Sequence, residues 1–225
     1  MGRAIKMGLL GVAVHSLRQY SGNRRGMIDD APYGGGEGMV FRPEPLAKAL
    51  KPFRAGGQKR RPIIFLTPQG QTFTHQKARQ LGQSAGAILL CGRYAGIDER
   101  IRQLFVDEEL SLGDYVLMGG ELPAMAVLEA AARFIPGVLG HADSAQHDSF
   151  EDGLLEGPLY TRPREFGGLG VPSILLSGNH RDIQRWRRQK ALERTRSRRP
   201  GWAQKAQQGA DFFPDSDPKK DSSGV

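Results

Sequence analysis

The sequence predicts an α/β domain built on a parallel sheet, with a smaller helical domain behind it. Three observations carry this: short apolar runs that end in turn residues, helical patterns between them, and shifts of composition near Gly140 and Leu155. The run from Ile63 to Leu66 ends in Pro68-Gln69-Gly70, and the run from Ala87 to Cys91 ends in Gly92. Brief, wholly apolar runs suit strands buried on both faces, and the turn residues place loops at their C-terminal ends. Between them, Gln76 to Gln83 reads as a short polar helix or crossover. The stretch from Gly119 to Phe134 opens on Glu121-Leu122-Pro123 and continues with Ala124, Met125, Val127, Leu128, Ala131 and Ala132, a buried helix ending before Pro136. Proline is tolerated in a helix's first turn and stops it afterwards. Strands alternating with helices define the α/β class.

The first domain is expected to span 1–140. Residues 141–155 turn polar and acidic, with Asp143, Asp148, Glu151 and Asp152, as an exposed linker would. Residues 156–204 hold Pro158, Pro163 and Pro172 and then a basic helix, on which Ile183, Trp186 and Leu192 are spaced to form an apolar face. Trp186 reads as the packing anchor of this second domain. Residues 205–225 are dominated by polar residues and small side chains, and read as a disordered tail. There is no internal repeat.

Composition narrows the function. With 225 residues, 39% hydrophobic and 25% charged, the chain is neither fibrous nor wholly disordered and has room for a real core. Its one cysteine, Cys91, cannot form an internal disulfide, and five scattered histidines show no zinc spacing, so no metal site is expected. No apolar run approaches the roughly 20 residues of a membrane span, and no signal-peptide core follows Met1, so a soluble, cytoplasmic protein with no membrane partner is expected. Thirty-two Lys and Arg against 24 Asp and Glu leave a net charge of +8, which favours a polyanionic partner. Nine basic residues against two acids between Arg181 and Arg199 exceed the needs of a solvated helix face and put nucleic acid first.

Glycine clusters at 34–38, 92–96 and 113–120. Such density lets backbone approach a ligand and offers peptide groups in place of side chains. None is a phosphate-binding GxxxxGKS/T loop and none completes GxGxxG after a strand. Taken singly each is an ordinary turn; three in one α/β domain, two of them after apparent strands, favour a ligand site at strand ends. The GxxG match at Gly167-Gly168-Leu169-Gly170 lacks the surrounding pattern of an RNA-clamping domain and reads as chance.

Longer motifs carry a resemblance. Cys91-Gly92-Arg93-Tyr94, Gly96-Ile97-Asp98-Glu99-Arg100, Gly113-Asp114-Tyr115-Val116-Leu117, Gly119-Gly120-Glu121-Leu122-Pro123-Ala124 and Ile135-Pro136-Gly137-Val138-Leu139-Gly140 resemble the bacterial tRNA (guanine-N1)-methyltransferase family, TrmD. The likeness continues through Asp148-Ser149-Phe150, Tyr160-Thr161-Arg162-Pro163 and Leu176-Ser177-Gly178-Asn179-His180 to Arg198-Arg199-Pro200. It implies a SPOUT-type α/β fold with a C-terminal trefoil knot, a homodimer, and methyl transfer from S-adenosylmethionine (AdoMet) to N1 of guanosine 37 in the tRNA anticodon stem-loop.

The cofactor positions the resemblance implies are Leu66, Thr67, Gly92, Tyr94, Leu112, Gly113, Asp114, Tyr115, Val116, Leu117, Gly119, Gly120 and Pro123. Asp148 would be the general base that takes the N1 proton, and Arg133 would stabilise charge spreading to guanine O6. From the residues alone, Asp148 reads as a solvated carboxylate and Arg133 as half of a surface ion pair; the motif context reverses both. Arg162, His180, Arg181, Arg187 and Arg188 are the candidates for the tRNA backbone. Two departures stand out. The family's first strand precedes the segment that begins here at Gly2, so its absence is expected to leave open backbone edges and exposed apolar surface. Ala95 stands where the family commonly carries a glutamate. A carboxylate there would offset the cofactor's charge or help hold Mg²⁺, and alanine does neither, so weaker AdoMet binding or slower transfer is expected. The rival class is a catalytically silent tRNA-binding protein.

Overall fold

The computed structural model describes residues 1–54, 61–139 and 148–202, and these divide into two compact units, with the boundary after Ala142. The first unit is mixed α/β. Its elements are helix α1 (Gly2–Lys6), strands β1 (Asp29–Asp30) and β2 (Val40–Phe41), helix α2 (Pro43–Arg54), strand β3 (Ile63–Thr72), helix α3 (His75–Gln83), strands β4 (Ile88–Cys91) and β5 (Gly96–Ile97), helix α4 (Glu99–Phe105), strand β6 (Glu108–Ser111) and helix α5 (Glu121–Ala132).

The central sheet runs β4-β3-β6 and is wholly parallel. Side chains alternate across a strand, so the four apolar residues that open β3 feed two cores at once. Ile63 and Phe65 join Leu46 and Leu50 of α2 and Ile101 of α4 on one face. Ile64 and Leu66 join Leu110 and Val127 of α5 on the other. All four are buried. A strand covered on both faces must be apolar throughout, which is why this run lacks the polar alternation of a surface strand.

β3 continues past the run expected to form it. Leu110 pairs with both Leu66 and Gln71, so residues 67–70 are an outward excursion, after which Gln71 and Thr72 rejoin the same neighbour. Gly70 is required there: a Cβ would lie 2.5 Å from Leu110 N and Glu109 C. At the strand's start, next to the same neighbour, Asp107 Oδ2 accepts from Ile63 N at 2.8 Å and fixes the register.

α3 is capped by Thr74, whose Oγ1 accepts from Lys77 N at 3.2 Å. It packs on α5 at Gly82 and Ala131, where a Cβ on Gly82 would strike Ala131 O. α5 differs from the buried helix expected: Val127 and Ala132 are buried, whereas Leu122 and Met125 are more than half exposed. An evenly apolar helix gives no periodic signal of which side faces the sheet.

The second unit contains a hairpin, β7 (Glu165–Phe166) and β8 (Leu169–Gly170), and the nineteen-residue helix α6 (His180–Arg198). Gly167 and Gly168 both take positive φ, +59° and +76°, as a two-residue hairpin turn demands, so the GxxG match belongs to this turn. Asn179 caps α6 by accepting from Asp182 N. Residues 141–147 of the expected linker and the tail at 205–225 lie outside the described residues.

Candidate functional site

The parallel strands aim their C-terminal ends at one place, and a cavity of about 310 Å³ opens there. The excursion of β3, the loops after β4 and β6 and the start of α5 wall it. Of the thirteen positions singled out, all except Gly113 and Asp114 line it, and those two stand on the same loop. Gly92 and Gly120 explain the glycine density. A Cβ on Gly92 would approach the Phe65 ring, which floors the cavity, to 3.0 Å; one on Gly120 would lie 2.7 Å from Cys91 Cα. Gly120 N also donates to Gly92 O at 2.9 Å, tying the two loops together. The walls are therefore backbone plus apolar side chains, Leu66, Leu110 and Leu117 among them.

The loop after β6 is held by Ser111, whose hydroxyl donates to Gly113 O at 3.0 Å and accepts from Gly113 N at 3.1 Å. Tyr115 folds its ring over Gly113, where a Cβ would meet it at 2.9 Å. Tyr94 takes a left-handed φ of +57°, a conformation held at sites more often than tolerated by chance. Sequence reasoning missed Phe65, Arg93, Ser111 and Met118 as lining residues; each adjoins a glycine cluster or a named strand, the signal that would have found them.

No Asp or Glu lines the cavity among the described residues. Arg93 does, and its Nε donates to Glu121 Oε1 at 2.8 Å across the rim. That hydrogen bond holds the Glu121 carboxyl below the usual range and the Arg93 guanidinium above its own. Burial, and secondarily Glu121, pushes the Cys91 thiol up to about 11, so it stays protonated at neutral pH and is no nucleophile. A second cavity, about 590 Å³, lies between residues 9–13, α3, β4 and α5, but its lining is largely apolar and carries little chemistry.

Arg133 caps the C-terminal end of α5, where a cation complements the helix dipole. It stands ten residues beyond Pro123, about 15 Å along the axis at 1.5 Å per residue, so it does not line the cavity. Asp148 belongs to the second unit. It precedes a turn in which Phe150 has φ +82°, an outlier for a bulky residue, and Phe150 N donates to Leu154 O at 2.7 Å. The segment expected to be exposed linker instead buries Leu154. Arg162 precedes a cis proline, His180 opens α6, and Arg181, Arg187 and Arg188 lie along it, all five exposed.

Among the described residues no group of three or more His, Cys, Asp or Glu is placed to hold a metal, and no helix is long and apolar enough to cross a membrane.

A parallel α/β unit with a glycine-walled cavity at its strand ends belongs to the class of folds that take nucleotide-like ligands there. The family model described as tRNA (Guanine-1)-methyltransferase TrmD matches residues 1–205. A curated relative from Geobacter sulfurreducens, named tRNA (guanine-N(1)-)-methyltransferase, is 54% identical over 91% of this chain and 83% of its own length. Relatives of the same name from Geotalea uraniireducens, at 52% over 88% of this chain and 80% of their own length, and Pseudoalteromonas atlantica, at 49% over 88% and 75%, are similar. The chain belongs to the tRNA (guanine-1)-methyltransferase family TrmD and is a transferase of that kind. Nothing supports the silent binder.

Proposed function

We propose that this chain transfers a methyl group from AdoMet to N1 of guanosine 37 in the tRNA anticodon stem-loop, acting in the cytoplasm as a homodimer. The observation that carries the proposal is the cavity: peptide groups of Gly92, Gly119 and Gly120 and apolar side chains converge at parallel strand ends in a chain of this family. Such a lining suits adenine, hydrogen-bonded by backbone and enclosed by leucines. Bound there, AdoMet supplies an activated methyl, leaving the protein to orient the acceptor and remove one proton.

Asp148 is proposed as the group that accepts the guanine N1 proton, and Arg133 as the cation facing O6 as negative charge develops. Arg162, His180, Arg181, Arg187 and Arg188 are proposed to hold tRNA phosphates. Their exposure and the exposed run of α6 support this.

Two features support the homodimer. Val116 and Met118 beside the cavity are 82% and 95% exposed, and Leu122 and Met125 extend that apolar surface along α5. Arg133 also lies at the far end of α5 from its own cavity, which favours a second protomer as the source of the cavity it serves. The excursion of β3 at 67–70, pressed against the β6 backbone at Gly70, is the part of this fold that suits the SPOUT knot. Mg²⁺ is proposed as an optional further ion.

The test is methyl transfer from labelled AdoMet to two tRNA transcripts, one with guanosine and one with adenosine at position 37. Label on the first alone, recovered as 1-methylguanosine, is the expected result. Equal labelling of both, or none on either while tRNA binds, overturns the proposal.

A further inference from the structure

Thr195 is the one residue of α6 that is completely buried, and it is polar. Its hydroxyl donates to Ala191 O at 2.7 Å and accepts from Leu155 N at 2.9 Å, reaching forty residues back along the chain. That bond is one rung of a longer track. Phe150 packs edge-on against Trp202 at 5.1 Å. Arg194 Nη1 donates to Glu156 O and Gly157 O, each at 2.9 Å. Gly157 lies flat on the helix, where a Cβ would come within 3.1 Å of Arg187 O, and Tyr160 reaches Trp186 at 6.4 Å. As the strap advances from Phe150 to Tyr160 its partners retreat from Trp202 to Trp186, so residues 150–160 run antiparallel along α6.

The near end of the strap carries Asp148. The turn between them is closed by Glu156 N donating to Ser149 Oγ at 2.9 Å and by Glu151 N donating to Asp148 O at 3.4 Å. Asp148 is thus tied, through a compact turn and a row of bonds, to the helix that also carries Arg181, Arg187 and Arg188.

We infer that Thr195 is a positioning residue for methyl transfer: by anchoring the strap to α6 it fixes the turn that carries Asp148, so that the helix gripping the RNA also sets the base. This rests on the proposed role of Asp148. A base displaced by about 1 Å loses up to 10²-fold in rate, because proton transfer demands hydrogen-bond reach.

The experiment is single-turnover methyl transfer by the full chain to a guanosine-37 transcript, across AdoMet concentrations, for Thr195→Val, Thr195→Ser, Asp148→Asn and the Thr195→Val/Asp148→Asn double variant. Valine keeps the shape and leaves Leu155 N–H without its acceptor; serine keeps the hydroxyl. The expected result is a plateau rate at least about tenfold lower in Thr195→Val, with half-saturating AdoMet unchanged, recovery in Thr195→Ser, and no further loss when Thr195→Val is added to Asp148→Asn. Losses that multiply in the double variant, or a plateau untouched by Thr195→Val, overturn the inference while leaving Asp148 as base. An Asp148→Asn plateau equal to wild type instead removes the base assignment itself. Where Thr195→Val does not fold, Gly157→Ala, which lifts the strap from Arg187 O, replaces it and must give the same pattern.

Discussion

The cavity of the first unit and the strap of the second are built from opposite materials. The cavity is made largely by backbone: glycines bring peptide groups close against one another, and local loops at 92–96 and 111–120 supply most of the wall. The strap is made by side chains acting over long sequence distances, Thr195 to Leu155, Arg194 to Glu156 and Gly157, Phe150 to Trp202. The first arrangement is rigid because nothing larger than hydrogen fits. The second is rigid only while each bond is kept. On the proposed assignments, binding and proton removal fall to parts that fail in different ways.

The largest effect should come from the strap's functional end. Asp148→Asn keeps the size and removes the proposed proton acceptor, and is expected to cost about 10² to 10⁴ in transfer rate with AdoMet affinity unchanged, checked by rapid-quench transfer beside calorimetric titration. Next comes the helix that bears the strap. Removing Arg187 and Arg188 together should weaken tRNA binding and lower the salt slope of log affinity by about one for each phosphate no longer neutralised, read by filter binding across a salt series. A salt slope identical to wild type would detach α6 from the RNA.

The same contrast explains what the sequence discloses. Glycine clusters and the runs at Ile63 and Ala87 lay open because their signals are local: an apolar strand or a close backbone approach constrains the residues that form it. Hence the parallel sheet and a ligand site at its strand ends were readable, while the individual cofactor positions came from the resemblance. β6 was not, since Glu108-Glu109-Leu110-Ser111 looks polar; Glu109 is made acceptable by Arg102, which donates to it twice, at 2.8 and 2.6 Å. Met125 was misplaced because α5 is apolar on every side. The strap escaped altogether: its polar residues signal an exposed linker, Leu154 is nonetheless buried, and the hydroxyl that fixes Leu155 lies forty residues ahead in Thr195.

Smaller effects sharpen the cavity's side of the comparison. With no carboxylate in its lining among the described residues, the cavity would leave a bound sulfonium without an opposing side-chain charge, so Ala95→Glu is expected to tighten AdoMet by about threefold, roughly the worth of one exposed charge pair, measured by titration calorimetry. Unchanged affinity would show that peptide carbonyls already balance the charge. The smallest effect concerns the rim pair. Glu121 has its carboxyl held below the ordinary value by Arg93, so the stability it contributes is present above about pH 4.3 and is lost as pH falls through the lowered value. Both side chains are more than half exposed, which makes the contribution slight. Thermal melts between about pH 3 and pH 7 should therefore show a slightly shallower acid limb in Glu121→Gln, with the two proteins converging at the acid end.

The division of labour itself is tested most directly by the dependence of single-turnover methyl transfer on AdoMet concentration in two variants, Gly120→Ala and Asp148→Asn. A methyl at position 120 would press on Cys91 and the Gly92 backbone, so it should raise the half-saturating concentration about tenfold or more and leave the plateau within reach of wild type. Asp148→Asn should do the reverse, keeping half-saturation and lowering the plateau. If both variants shift the same parameter, the cavity and the strap are not separate instruments of binding and chemistry.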